Sequence, residues 1–277
     1  MNFGIVTPIF EQTKYLLPSL VSVQSTKHKV VHELQQSSCA RELTLPQQFC
    51  DKVRIVREPD TGMYDAITKG FDRICLEHPE VEILSWINSD EQYLDGTLDF
   101  VAEYFNNHPD VDVVYGDYIQ LDSNGCPCSV RREISPRLFF LVHGVNYIMS
   151  CTVFMRRRVW EQGIKLDTTY KFVADKKFYV ENIRKGYRFV HLKRLIGAYT
   201  NTGENLSLQQ VNTLNEQARL RRELGSWCAP ARKVVRLLRC LNKLFSRCYT
   251  SKSINLSYYS LTGEIVTFSG CLSNSWK

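Results

Sequence analysis

No apolar run in this 277-residue chain approaches the roughly 20 residues that a membrane-crossing helix needs. Residues 1–10 hold no basic stretch ahead of an apolar one, and Pro8 interrupts the apolar stretch that is there, so no secretory leader is expected. There is no CxxC pair. The ten cysteines are scattered, and the one close pair, Cys126-Pro127-Cys128, is too tight for an ordinary zinc knuckle. They read as reduced packing thiols, and the expected location is the cytoplasm. Internal repeats and low-complexity tracts are missing too. Hydrophobic residues make up 44% and charged residues 23%, which excludes a disordered chain and a fibrous one. A chain of this length buries a core without staples and forms one large domain or two small ones.

Strong charge is also missing from most of the chain. The total is +6, but the segment 219–252 alone carries +9, with ten Lys/Arg and the single acid Glu223. The remainder is slightly acidic, so the basic character belongs to one C-terminal element.

What is present is strand–helix alternation. Phe3 to Thr7 is β-prone and is predicted to end at Pro8. A helix is predicted over Lys14 to Gln24, and strands at Val30-Val31 and Val53 to Val56. A helix follows over Thr61 to Cys75, with Met63, Ala66, Ile67, Gly70, Phe71 and Ile74 on one face. Val81 to Ile87 is nearly continuous in apolar residues, as a buried parallel strand is. A helix over Leu94 to Asn107 and a strand over Val111 to Tyr115 complete an α/β pattern with parallel strands. The pattern then becomes irregular. Asp122 to Gly125 reads as a hairpin turn, and Cys151 to Met155 as a strand. Lys176 to Lys185 is a helix closed by Gly186. Arg188 to His191 and Gly197 to Thr200 read as two short strands. Helices are predicted over Asn212 to Leu224 and Ala231 to Arg247, and a small hairpin or arm within Ile254 to Phe268.

Functional groups in an open α/β sheet gather at the carboxyl ends of its strands. Three clusters fall there. Glu58-Pro59-Asp60-Thr61-Gly62-Met63-Tyr64-Asp65 leads into a helix whose first N–H groups suit a polar or anionic ligand, or are capped by Asp60 or Thr61. Asn88-Ser89-Asp90-Glu91 follows a buried strand. Its oxygens suit Mg²⁺ or Mn²⁺ with a diphosphate completing the shell, or one of them caps the next helix. Asp175, at a helix start, is a general base or a helix cap.

Taken in order, Thr7-Pro8, EPDTGMYDAITKG (58–70), WINSDE (86–91), VYGD (114–117) and Ala174-Asp175 resemble glycosyltransferases of family 2 over about residues 3–207. The resemblance implies a GT-A type, Rossmann-like α/β fold with a mostly parallel central sheet flanked by helices, and inverting transfer from a nucleotide sugar. On that resemblance Asp90 falls at the metal position, with Mg²⁺ or Mn²⁺ as cofactor, and Asp175 at the catalytic base. Thr7, Pro8, Glu58, Asp60, Gly62, Tyr64, Asp65, Asn88 and Ser89 fall along the nucleotide-sugar pocket. Asn201, Gly203 and Ser207 fall in a loop that family members often close over donor or acceptor. A UDP-sugar is the favoured donor, and a glycan or lipid-linked molecule the acceptor, in polysaccharide or cell-surface glycan synthesis. Residues 1–210 would be the catalytic domain, with the nucleotide-sugar half over 1–120 and the acceptor half over 121–210. Residues 211–277 would be a basic helical extension.

Two departures stand out. Members usually carry an acidic residue after the second strand, often in an Asp-Gly-Ser run. Here Glu33 is off register for a strand end, and Gln36, which is in register, has no charge. Thr68 stands where Asn is frequent. Two other readings therefore remain open: a binding-only relative, and a nucleotidyltransferase. The latter needs a glycine-rich loop after the first strand, and Thr7 to Lys14 contains no glycine.

In the helix over 231–247, Val234, Leu237, Leu238, Leu241, Leu244 and Phe245 share one face. Arg232, Arg236, Arg239, Lys243 and Arg247 lie on the other. Either the apolar face docks on the catalytic domain and the arginines are solvated, or the helix lies on the inner face of an anionic membrane. Nucleic acid is not expected, because no aromatic residues interleave with the arginines for base stacking.

Overall fold

The computed structural model describes residues 1–11, 13–203, 210–226, 229–249 and 253–274. Its first half is the alternation expected from the sequence. The elements are β1 (Phe3–Ile9), α1 (Leu16–Ser22), β2 (Val30–Ser37), β3 (Val53–Glu58), α2 (Met63–Glu77) and β4 (Ile83–Trp86). Strands β3-β2-β1-β4 lie in that order, all parallel. Their carboxyl ends therefore open on one edge, where the EPDTG and NSDE segments emerge.

β1 does not stop at Pro8, as expected, but continues to Ile9. The last β1–β4 pair is Val6 with Trp86, whereas pairing with β2 runs on to Ile9–Gln36. Pro8 thus sits where the strand is paired on one side only, and a proline's missing N–H is tolerated on such an edge. Gly70 lets α2 lie close on β1, since a Cβ there would come within 2.8 Å of the Val6 methyls.

The second half contains β5 (Glu91–Tyr93), α3 (Thr97–Asn107), β6 (Val113–Leu121), β7 (Pro127–Arg131), α4 (Leu138–His143), β8 (Phe154–Arg156), α5 (Arg157–Gln162), α6 (Ala174–Arg184) and β9 (Phe189–Thr200). Here the sheet is mixed. β8 is antiparallel to both β4 and β6, β7 is antiparallel to β6, and β9 runs parallel to β6. The two short strands expected over 188–191 and 197–200 are one strand. β9 follows β6 through an irregularity at Gly116 to Tyr118, where three extra β9 residues are absorbed, and this hid its continuity. The Asp122 to Gly125 turn joins β6 to β7, closed by Gly125 N–H to Asp122 O at 2.9 Å.

A core of large aromatics ties the halves together. Trp86 stacks on Tyr179 of α6 at 6.4 Å and meets Phe71 of α2 edge-on at 6.1 Å. Truncating a buried Trp of this kind costs about 3–5 kcal/mol. Tyr179 lies one helical turn after Asp175, so the contact that anchors α6 also sets the start of α6 beside the carboxyl end of β4.

The C-terminal part holds α7 (Gln210–Glu223), α8 (Ala229–Phe245), the hairpin β10 (Ile254–Tyr259) and β11 (Ile265–Gly270), and β12 (Ser273–Asn274). β12 adds to the edge strand β7. The Gln92 side chain, by donating to Tyr259 O and accepting from Tyr259 N–H, fastens the hairpin to β5.

The orientation of α8 corrects one sequence-based alternative. Its apolar face does not dock on the rest of the protein. Arg239 and Lys243 do, reaching buried Glu133, with Lys243 Nζ 3.0 Å and Arg239 3.6 Å from its carboxylate. Val235 packs in the same stripe, one turn earlier. Phe245 and Leu237 are 82% and 59% exposed, while Lys243 is 3% exposed. A carboxylate deep in the protein demands opposite charge, and that demand outweighs the burial of leucines.

Candidate active site

Asp175 opens α6 with Val173 before it in the N-cap position. Its carboxylate accepts from the Tyr64 hydroxyl at 3.1 Å and from Asn146 Nδ2 at 2.7 Å. Burial raises its pKa to about 6, against the lowering effects of the Lys176 amide, Tyr64 and Asn146. A carboxylate poised there is ionised at neutral pH, yet basic enough to take a proton from a hydroxyl as it attacks.

Tyr64 projects from the first turn of α2, and Asn146 follows α4. The structure thus brings together three residues separated by 111 and 29 positions. Tyr64 belongs to the set expected along the nucleotide pocket, and here it touches Asp175. Asn146 escaped the sequence reading, since no motif surrounds it.

The cluster after β4 is not a helix cap. β5 intervenes before α3, whose N-cap is Gly96. Glu91 is buried and accepts from the Asn88 N–H at 3.0 Å. Burial first, and then the adjacent Asp90 charge, push its pKa up to about 8. Of these two neighbouring carboxyls, Glu91 is therefore mostly protonated at neutral pH. Both Asp175 and Glu91 lie close enough to the buried Tyr179 phenol to raise its pKa further, after burial itself. The β4 end and the α6 start thus share one electrostatic neighbourhood.

Among the described residues no group of three or more His, Cys, Asp or Glu could hold a metal ion. What the segment supplies is the single carboxylate of Asp90 and the oxygen Asn88 Oδ1, buried with no hydrogen-bond partner. An all-oxygen set of this size fits Mg²⁺ or Mn²⁺ that takes its other ligands from a diphosphate and water.

The loop before α2 is held tightly. Asp60 accepts from the Gly62 N–H at 2.9 Å, and Asp65 from the Thr61 N–H at 2.9 Å and Lys69 at 3.0 Å. Burial pushes the Asp65 pKa up, but the Thr61 amide and Lys69 outweigh it and hold the group below its ordinary value. Gly62 has φ +132°, a conformation that L side chains rarely adopt. Lys171 closes over this turn with Nζ 3.1 Å from the Thr61 hydroxyl. Its own loop is anchored on Glu216 of α7, which accepts from the Lys171 and Phe172 N–H groups at 2.7 and 2.8 Å. Lys171 is a cation over the Thr61-Gly62 turn that the sequence did not signal, being 110 residues from Thr61.

Other expected residues have structural partners. Thr7 is fully buried against His32 at 2.9 Å, a histidine kept neutral because burial lowers its pKa to about 3. Pro8 is buried beside it. Glu58 and the buried Glu33 both pair with Arg73. Glu33 is therefore committed within the protein, and Gln36, at the β2 end, donates to Arg41 O. Ser89 lies half-buried between Asn88 and Asp90. Asn201 donates its N–H to Leu121 O at 2.8 Å, and Gly203 has φ +84°. Ser207 lies outside the described residues.

No family model matches this chain, and no curated protein matches it. Solved structures do. Crystal structures of residues 1–349 of S. aureus TarS align at 18% identity. The first has a TM-score of 0.55 and covers 72% of this chain, which spans 60% of that one. The complex with UDP has a TM-score of 0.56 over 89% of this chain and 72% of that one. The complex with UDP-GlcNAc has 0.55 over 88% and 67%. The likeness shows the fold: a mixed α/β sheet flanked by helices, of the GT-A-like glycosyltransferase type.

Proposed function

We propose that this protein is an inverting glycosyltransferase of the family 2 kind. It would move a sugar from a nucleotide donor, a UDP-sugar first among them, to a hydroxyl of a glycan or lipid-linked acceptor. The observation that carries the reading is Asp175, a carboxylate with pKa near 6, held by Tyr64 and Asn146 beside the β4 end. The GT-A-like fold and its likeness to a protein crystallised with UDP and UDP-GlcNAc support the donor class.

In this mechanism Asp175 takes the proton of the acceptor hydroxyl while that oxygen attacks the anomeric carbon. The bond from that carbon to the diphosphate breaks on the opposite face, and a nucleoside diphosphate leaves. Tyr64 and Asn146 hold the carboxylate in position. The Lys171 cation, above the Thr61-Gly62 turn, favours the donor's negative charge. Asp90 and Asn88 would hold Mg²⁺ or Mn²⁺, which neutralises charge on the leaving diphosphate when bound. The 58–65 segment would form the wall at the strand ends against which the nucleoside lies, with buried Thr7 and Pro8 supporting it from behind. Residues 1–210 would be the catalytic unit, with acceptor contacts from its second half.

The test is a panel of nucleotide sugars, assayed for donor binding and for release of nucleoside diphosphate with and without Mn²⁺. Asp90→Ala should lose Mn²⁺-dependent donor binding. Binding without release by the unaltered protein, across the panel and with acceptors supplied, would overturn the enzyme reading and leave the binding-only one.

A further inference from the structure

α8 displays outward what an amphipathic helix ordinarily hides. Val234, Leu237, Leu238, Leu241, Leu244 and Phe245 are all exposed, between 40% and 82%. They occupy one continuous arc of the helix at 100° per residue. Lys233, exposed, borders that arc on one side, and Arg236, also exposed, lies further round the helix. On the opposite side Arg239 and Lys243 are spent on Glu133. An apolar stripe of this extent, open to water, marks a contact surface.

We infer that this face of α8 seats the protein on an anionic lipid surface, with the helix axis in the plane of the membrane. Three observations select that occupant. First, α8 has 17 residues, and no helix among the described residues is long and apolar enough to cross a membrane, so α8 can lie on a bilayer but not span it. Second, the edge of the stripe is cationic, which complements acidic headgroups. Third, the helix is held rigidly by its inward ion pairs, so the leucines are presented without unfolding anything.

The location bears on the chemistry. α8 packs on α4, with Val235 against the turn at Gly144, and Asn146 just beyond that turn holds Asp175. Phe139 and Val145, flanking the same turn, are also exposed. The lipid surface would therefore meet the protein near the segment that holds Asp175, where the acceptor would bind. That last point rests on the transferase reading. The surface itself does not.

The experiment is sedimentation of the full chain with vesicles of phosphatidylcholine alone and of an equal mixture with phosphatidylglycerol. The unaltered protein should pellet with the mixed vesicles, and less so in high salt. Lys233→Gln should weaken binding to the mixed vesicles by about fivefold, the effect of one basic residue near an anionic leaflet. Leu237→Gln with Leu241→Gln should weaken it by at least about tenfold. These side chains are exposed, so melting temperatures should stay level. Failure of the unaltered protein to pellet overturns the inference. So does a concentration-dependent dimer in light scattering that the leucine variant disperses, which would give the face to a second copy. Absence of donor turnover by the unaltered protein, with vesicle binding intact, would overturn the transferase reading and leave this surface standing.

Discussion

Replacing Asp175 by Asn separates what this carboxylate does for chemistry from what it does to the fold. Its pKa moves from an ordinary 3.8 to about 6, because burial disfavours the charged form. The unfolded chain ionises this group near pH 4 and the folded protein only near pH 6, so between those values the folded state holds more of the proton. Stability therefore falls as pH rises through that window, and above it the fold carries the full cost. The gap corresponds to about 3 kcal/mol. Asn carries no charge to desolvate and can still accept from Tyr64. Its amide, however, faces the donating amide of Asn146, and losing that hydrogen bond costs about 1 kcal/mol. At pH 8 the variant should be more stable by about 2 kcal/mol, or about 3 °C in melting temperature for a chain of this length. At pH 4 the advantage should vanish. Turnover should drop by a factor of about a hundred to ten thousand with donor binding retained. Thermal melts at both pH values, paired with an assay for nucleoside diphosphate release, measure all of this. A variant that is less stable at pH 8, or whose offset does not change with pH, would refute the claim that burial strains this carboxylate. Near-normal turnover would remove it as the base.

Tyr64→Phe removes the hydroxyl that favours the ionised form of Asp175. The acidic limb of kcat/KM should move up by about one pH unit from near 6, with the plateau at higher pH little changed. A pH–rate profile that does not move would detach Tyr64 from the base. Lys243→Met leaves Glu133, deep in the protein, with Arg239 alone at 3.6 Å. Denaturant unfolding at neutral pH should show a loss of about 3 kcal/mol. The loss should shrink in acid as Glu133 takes up a proton, and an unaffected midpoint would show that the ion pair does not hold α8.

The four parallel strands, their order along the chain and the two polar segments at their carboxyl ends were legible in the sequence. They depend on local rules: apolar runs where strands are covered on both faces, and polar residues where those strands end. The hairpin turn at Asp122 to Gly125 and the stop at Gly186 were legible for the same reason, since turn chemistry is carried by adjacent residues. β5 and the single long β9 were not. Three residues, Glu91 to Tyr93, become a strand only because Gly197 to Tyr199 lie alongside to pair with them. The site followed the same division. Residue type and position singled out Asp175 and the Asn88-to-Glu91 segment, and the family resemblance picked Asp90 within it, but that Tyr64 and Asn146 hold Asp175, that burial raises the Glu91 pKa beside Asp90, and that Lys171 covers the Thr61-Gly62 turn are consequences of burial and of contacts across the chain. α8 is the sharpest case. The sequence alone determined that it has an apolar face and a basic face, because the 3.6-residue period is local. It could not say which face turns inward, since that choice belongs to Glu133, 110 residues away, whose buried charge drew Lys243 and Arg239 to itself and left the leucines outside.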